Sequence, residues 1–334
     1  MSKFNDHARA PSKLVLRQGR KMSVYVICKR LIHRSVVSAI LLCSADVSLA
    51  AAGVPAFKLT SPEGAESTLI GSVHIPMEGL SQPGPAMLNG ARRLVIEGSS
   101  VVGPQPPKPS PEGLLVPGAM ASRVKDGSWP RAAWAKGLSD AELDQLRRNA
   151  ECSKTPVPVD LLMSFRSPMV AASIAFNPCR KPGQLSRDEI LDEAAKRYNV
   201  TTEILETQVA AQKQREAVPD RLYEEALYAG LHMRARDSFR AIVVALNNGD
   251  YAAVTRVVDA TYRDPADAAL VQRLMIRERN LAWIPVMRRF LDEGHAVVIV
   301  GAAHLPGPTG LIALLKAARY RVETIELPAA GGRP

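Results

Sequence analysis

Two short strings far apart in the chain constrain its fold more than anything else in it: LIGSVHIP at residues 69–76 and VIVGAAHLPG at 298–307. Each is a run of apolar, β-branched residues that reads as a buried strand, broken by glycine and closed by a histidine, an aliphatic residue and a proline. Each is followed by a helix-length segment and a second apolar run, RLVIE (93–97) after the first and RVETIEL (321–327) after the second. His74 and Glu97 lie 23 positions apart, and His304 and Glu326 lie 22 apart. The repetition predicts an α/β fold in which two related strand-loop-helix-strand units form a central mixed sheet.

The remaining organisation follows from the patterns between these units. Ala56–Thr60, a Pro-Glu-Gly turn and Ser67–Val73 read as a β-hairpin. Residues 101–118 are rich in proline and glycine and predict a surface loop or flap without regular structure. From 139 to 292 the pattern turns helical. Ser139 and Ser186 stand as N-caps before DAELDQLRRN and RDEILDEAAKRY, and amphipathic stretches follow at 219–247, 250–262 and 267–292. This middle reads as a large all-helical insertion between the two units.

The charge is best read by position. Of a formal net charge of +10, the first fifty residues hold nine Lys and Arg against Asp6 and Asp46. The excess therefore belongs to a leader, and with no stacking-aromatic motif beside it nucleic-acid binding is excluded as the expected function. That leader has basic residues, a short apolar run from Val36 to Cys43 and small residues around Ala50-Ala51-Ala52, the layout of a signal peptide over residues 1–52. Met22 is an alternative start. The apolar run is far shorter than the roughly 20 residues of a membrane-spanning helix, so no permanent anchor is expected and the mature domain, 53–334, is periplasmic or secreted. Cys152 and Cys179 are then the cysteines of the mature chain: an oxidising compartment lets them bridge, and otherwise they are buried free thiols.

The candidate chemistry sits where the strands end. Gly71 and Gly301 allow a sharp turn, Pro76 and Pro306 stiffen the loops beyond, and His74 and His304 stand at the carboxyl ends of strands, where open α/β sheets bind ligands. With Glu97 at a neighbouring strand tip they form a candidate two-His-one-carboxylate metal site able to activate water. Taken singly, each histidine is equally a hydrogen-bonded loop residue. His232 and His295 lack the motif and read as structural. Arg277, Arg279 and Asn280 offer an oxyanion or carboxylate clamp or else a solvated helical face. Glu206 sits between a short strand and a helix, with capping and catalytic roles both open.

Taken in order, GSVHIP, VIEGS, ILETQ, RERNLAW and GAAHLPG resemble the motif series of the TraB/GumN family, related to the TIKI metalloproteases, over roughly residues 56–327. The resemblance implies an α/β fold with a helical insertion and a divalent-metal site. His74 and His304 would be metal ligands or catalytic groups, Glu97 a carboxylate ligand or base, and Arg279 and Asn280 polar support. It further implies metal-dependent proteolysis, with manganese or cobalt as the usual ion and zinc left open. Ser72 stands where relatives commonly carry threonine. The expected partner is a peptide or a small-molecule ligand. The rival expectations are a binding protein that captures a peptide signal or haem without turnover, and a docking surface on the helical middle.

Overall fold

The structure is a computed structural model and describes residues 53–98, 111–153, 155, 157–177, 179–232 and 235–330. The leader and the first part of the proline-rich stretch fall outside those residues.

Six strands form one sheet: β1 (Val54–Thr60), β2 (Glu66–Ser72), β3 (Arg93–Ile96), β4 (Thr201–Ile204), β5 (Ala296–Gly301) and β6 (Arg321–Leu327), in the order β4-β3-β5-β2-β1-β6. β1 and β2 are the expected hairpin, in antiparallel register from Thr60↔Glu66 to Ala56↔Ile70. β2, β5, β3 and β4 run parallel, while β6 pairs antiparallel with β1 at the outer edge. β5 is buried at every position, as a central parallel strand covered on both faces must be. Its side chains alternate between two cores. Val298 and Val300 pack with Leu69, Trp283, Met287 and Leu291, whereas Val297 and Ile299 pack with Ile70, Leu94, Leu191 and Ala195. Burial of each such side chain contributes roughly 1.5–3 kcal/mol. The edge strand β6 is blunted by Arg321, Glu323 and Glu326, all with exposed or half-exposed positions, which discourages pairing with another chain.

The helical middle has a core of its own, in which Trp134, Leu143, Leu146, Leu162, Ile174 and Leu227 meet. It is not all-helical, however. β4 lies inside it and pairs with β3 at the sheet edge, Thr201 opposite Arg93 through Ile204 opposite Ile96. It is the short strand expected before Glu206, and its four residues, with one aliphatic among them, carry too little period-2 signal to show that it joins the main sheet. The linking segments of the two units also differ. Between β5 and β6 lies an α-helix, Leu311–Ala317, but between β2 and β3 there is only a 3₁₀ turn, Pro85–Leu88. Pro83, Gly84, Pro85 and Gly90 leave no room for more. The described end of the proline-rich stretch has more structure than expected, because the apolar run after Pro111 finds partners: Pro111–Leu114 is one helical turn and buried Leu115 bridges Phe165.

Both predicted caps are present. Ser139 and Ser186 each accept from the backbone N–H three residues on, and Glu142 and Glu189 reach back to the cap's own N–H. Ser186 begins helix Arg187–Tyr198, which lies against β3 and β4 and brings its first turn beneath the end of β2. A Ser186→Ala variant is expected to lose about 1 kcal/mol of stability, read as a melting temperature lower by about 2–4 °C.

Candidate active site

Register brings the site together. Ser72 at the end of β2 lies beside Gly301 at the end of β5, and Ile96 at the end of β3 lies beside Ile299 of β5 and Ile204 of β4. The residues just beyond these ends, His74, Glu97, Glu206 and His304, therefore emerge along one carboxyl edge. The sharp turn after β2 falls on His74 itself, at φ 58°, a left-handed conformation uncommon outside glycine and frequent where function dictates geometry. Gly71 and Gly301 are not at positive φ, so their role is space rather than turning. A Cβ on Gly301 would meet His74 Nε2 at 3.0 Å, Glu97 Oε1 at 3.1 Å and His304 Cδ2 at 3.4 Å, and one on Gly71 would strike the Tyr251 ring at 2.5 Å.

Glu97 is the hub. Its Oε1 accepts from the Gly301 N–H at 2.6 Å and lies 3.2 Å from His74 Nε2 and 3.6 Å from His304 Nε2. Its Oε2 accepts from Arg279 Nη2 at 2.8 Å. The other nitrogen of each imidazole is held by an oxygen acceptor. His74 Nδ1 donates to Asp188 Oδ1 at 3.0 Å, and His304 Nδ1 donates to Asn280 Oδ1 at 2.7 Å. The Asn280 amide can present only its oxygen there, because its Nδ2 donates to the carbonyls of His304 (3.1 Å) and Thr309 (2.9 Å).

The protonation states follow from these partners. His74 faces a carboxylate through each nitrogen, so both donate and the ring is a cation. Burial of the nitrogens opposes that charge, but Asp188 and Glu97 outweigh it and raise the pKa to about 10. His304 is the opposite case. Burial, reinforced by the nearby charges of Arg279 and His74 against the pull of Glu97, lowers it to about 3. It is a neutral ring whose Nε2 accepts from Arg279 Nη1 at 3.2 Å. Burial disfavours the Glu97 and Asp188 charges, yet both carboxyls are held below their ordinary range, chiefly by the His74 hydrogen bond. Side-chain exposure is 45 % for His74 and 4 % for His304, so solvent reaches the site from the His74 side.

Arg279 is held from behind. Glu206 accepts from its Nε and Nη2 at 3.1 and 2.5 Å, and from Trp283 Nε1 at 3.1 Å. The Trp283 ring stacks near both the guanidinium (4.6 Å) and the His304 ring (4.4 Å). Glu206 is thus no cap; Thr207 caps the following helix. Arg279 follows a π-helical turn, Arg273–Arg277, inserted between helices Pro265–Gln272 and Glu278–Glu293, and such bulges concentrate at functional sites.

His74, Glu97, Glu206, Arg279, Asn280, Gly301, His304 and Ser72 therefore meet, with Gly71 one position behind. Arg277 does not join them, and Glu326 of the second unit lies at the far edge of the sheet beside Gly53. His232 pairs instead with Glu142 on the helical side, and His295 turns the chain into β5 at φ 54°. Sequence reasoning missed Arg187, Asp188 and Trp283. Asp188 accepts from the Ser72 hydroxyl as well as from His74. Fully buried Arg187 donates from Nη1 to the Gly71 carbonyl at 2.7 Å and from Nη2 to the Ser81 carbonyl at 2.8 Å, which fixes both ends of the His74 loop. A basic first-turn residue opposes the helix dipole, and Glu189 already supplies the capping carboxylate. Those two facts left Arg187 and Asp188 unexplained locally and were the available signal.

A mixed α/β sheet whose parallel strands carry, at their carboxyl edge, two opposed imidazoles about one buried, arginine-held carboxylate defines an α/β protein with a polar site at its strand ends. The profile of the TraB/PrgY/gumN family matches residues 56–324, and the chain belongs to that family. Comparison with curated proteins and with solved structures yields no match. Cys152 and Cys179 form a disulfide, with Cα atoms 4.6 Å apart. No described helix is long and apolar enough to cross a membrane.

Proposed function

We propose that the protein is an exported, metal-dependent hydrolase acting on peptides. One observation carries this reading: both imidazoles turn Nε2 toward the same oxygen of Glu97, while an oxygen acceptor holds each Nδ1. Metal-ligating histidines are oriented in this way by the partner of the second nitrogen. Among the described residues no three His, Cys, Asp or Glu side chains form a ready-made metal cluster. The donor chemistry nevertheless fits a divalent ion of the manganese, cobalt or zinc kind. His74, His304 and Glu97 would hold it, with the His74 Nε2 proton given up and Arg279 drawn back from His304 Nε2. Such an ion, when bound, supplies acidified water and polarises the substrate carbonyl.

The chain's own residues do the rest. Asp188 and Asn280 keep the two rings from rotating. Arg279, with Glu206 and Trp283 behind it, keeps Glu97 ionised and aimed, so that Oε1 can accept a proton from an attacking water and return it to the leaving amine. Trp283 closes the inner wall and keeps solvent from His304. The disulfide supports export, since such bridges persist in oxidising compartments.

The test is elemental analysis and peptide turnover of the mature protein, beside a His74→Ala, His304→Ala double variant. The wild type is expected to hold about one divalent ion per chain and lose turnover on chelation, and the variant to hold none. Turnover that survives in the double variant overturns the proposal. Stoichiometric capture of a peptide or haem with no product replaces it by the binding reading.

A further inference from the structure

A cavity of about 720 Å³ lies against the second histidine loop, between residues 303–309, helix Tyr251–Asp259 and the π-helical turn. Its size falls in the roughly 300–1,000 Å³ range of small-ligand pockets. Ala268, Ile276 and Pro306 give it apolar walls. Three charged side chains line it, and two are already engaged: Arg273 donates to Glu278 at 3.0 Å, and Asp259 accepts from Gln272 at 2.8 Å. Arg277, the third, forms no side-chain hydrogen bond and no ion pair among the described residues. An unpaired guanidinium at the mouth of an apolar-walled cavity recognises a carboxylate bidentately. The Gln272 amide leaves the charge of Asp259 in place, so the three charged side chains of the lining sum to a single positive charge, which suits a singly charged, carbon-bearing anion better than a phosphate.

The cavity is also wired to the site. Asn280 donates to the carbonyl of Thr309 in the cavity wall and to that of His304, and its Oδ1 receives His304 Nδ1. Ala303, which lines the cavity, is the neighbour of His304 in the chain. Arg277 ends the π-helical turn and lines the cavity, and Arg279, two positions on, holds Glu97.

We infer that this cavity is a subsite for a carboxylate of the bound peptide, seated on Arg277. The identification of the occupant as substrate rests on the hydrolase reading; the binding itself does not. Two sources share the chemistry, a free C-terminus and an acidic side chain.

Fluorescein-labelled octapeptide pools distinguish them: free-acid against C-terminally amidated pools, and pools with internal Asp against Asn. Binding is followed by fluorescence anisotropy on the mature protein, so that absent turnover sinks the hydrolase reading without touching this one. The wild type is expected to prefer a carboxylate form roughly tenfold, as a charge-assisted bond allows. Preference in the first comparison assigns the C-terminus, and in the second the side chain. Arg277→Gln is expected to abolish the preference at an unchanged melting temperature, while Arg273→Gln keeps it. No preference in either comparison, no binding of any pool, or a preference intact in Arg277→Gln overturns the inference.

Discussion

A Glu97→Gln variant is expected to lose about 2–3 kcal/mol of stability and, with it, the metal binding and turnover proposed for the site. Three groups donate to the carboxylate, the Gly301 N–H and His74 Nε2 to Oε1 and Arg279 Nη2 to Oε2, while the neutral His304 Nε2 lies 3.6 Å from Oε1. Glutamine has the same shape but must turn its amide N–H₂ toward one of these donors. Its side chain is only 14 % exposed, so water cannot fully intervene. Removing one partner of a buried ion pair costs about 3–5 kcal/mol. The loss falls at or below the bottom of that range because Arg279 keeps Glu206, and His74 keeps Asp188. Urea denaturation with an unchanged m-value reads the stability, and elemental analysis of the folded fraction reads the site. Stability within about 0.5 kcal/mol of the wild type, the range of an ordinary surface change, would show that Glu97 is not the hub.

That hub was legible in the sequence in part. The two G-x-x-H strings and the carboxylate ending RLVIE announce themselves because strands followed by glycine, histidine and proline leave few alternatives. Arg279, Asn280 and Glu206 were visible as residue types only, since helical spacing alone equally describes a solvated face. What decided them was a contact no local pattern encodes: β4 pairs with β3, and just beyond β4 the Leu205 and Glu206 N–H groups both donate to the Glu97 carbonyl. β4 was legible as a short strand before Glu206, but its place beside β3 in the sheet was not. Asp188 and Arg187 were hidden differently, inside a helix start that appeared fully accounted for by Ser186 and Glu189. The turn after β2 was misassigned to Gly71 because glycine ordinarily takes positive φ; the structure puts that conformation on His74 and reserves the glycines for close approach. Glu326, the positional counterpart of Glu97 in the second unit, lies beside Gly53 at the far edge of the sheet, since β6 pairs with β1 rather than with a strand of the parallel set.

The Cys152–Cys179 bridge is expected to contribute roughly 3.5 kcal/mol, from the chain entropy lost on closing a loop of its length; the two cysteines are 27 positions apart. In a domain of this size that corresponds to a melting temperature lower by on the order of 10 °C after reduction or in a Cys152→Ser, Cys179→Ser variant. The effect should not be uniform. Cys179 begins the segment that enters helix Arg187–Tyr198, and that segment is tied down by Arg180 on Glu189 and Lys181 on Glu78. All four side chains are more than a third exposed, and such pairs typically contribute less than about 1 kcal/mol each. The bridge is then the main restraint upstream of Arg187 and Asp188, which hold the His74 loop. Hydrogen exchange is expected to accelerate over residues 179–198 in the reduced protein before the β2 and β5 strands are affected. A thiol titration of the protein without residues 1–52, expected to find none free, is the companion measurement. Exchange that rises evenly across the sheet, or a melting temperature indifferent to reductant, would mean that the capping box and surface ion pairs hold this segment without the bridge.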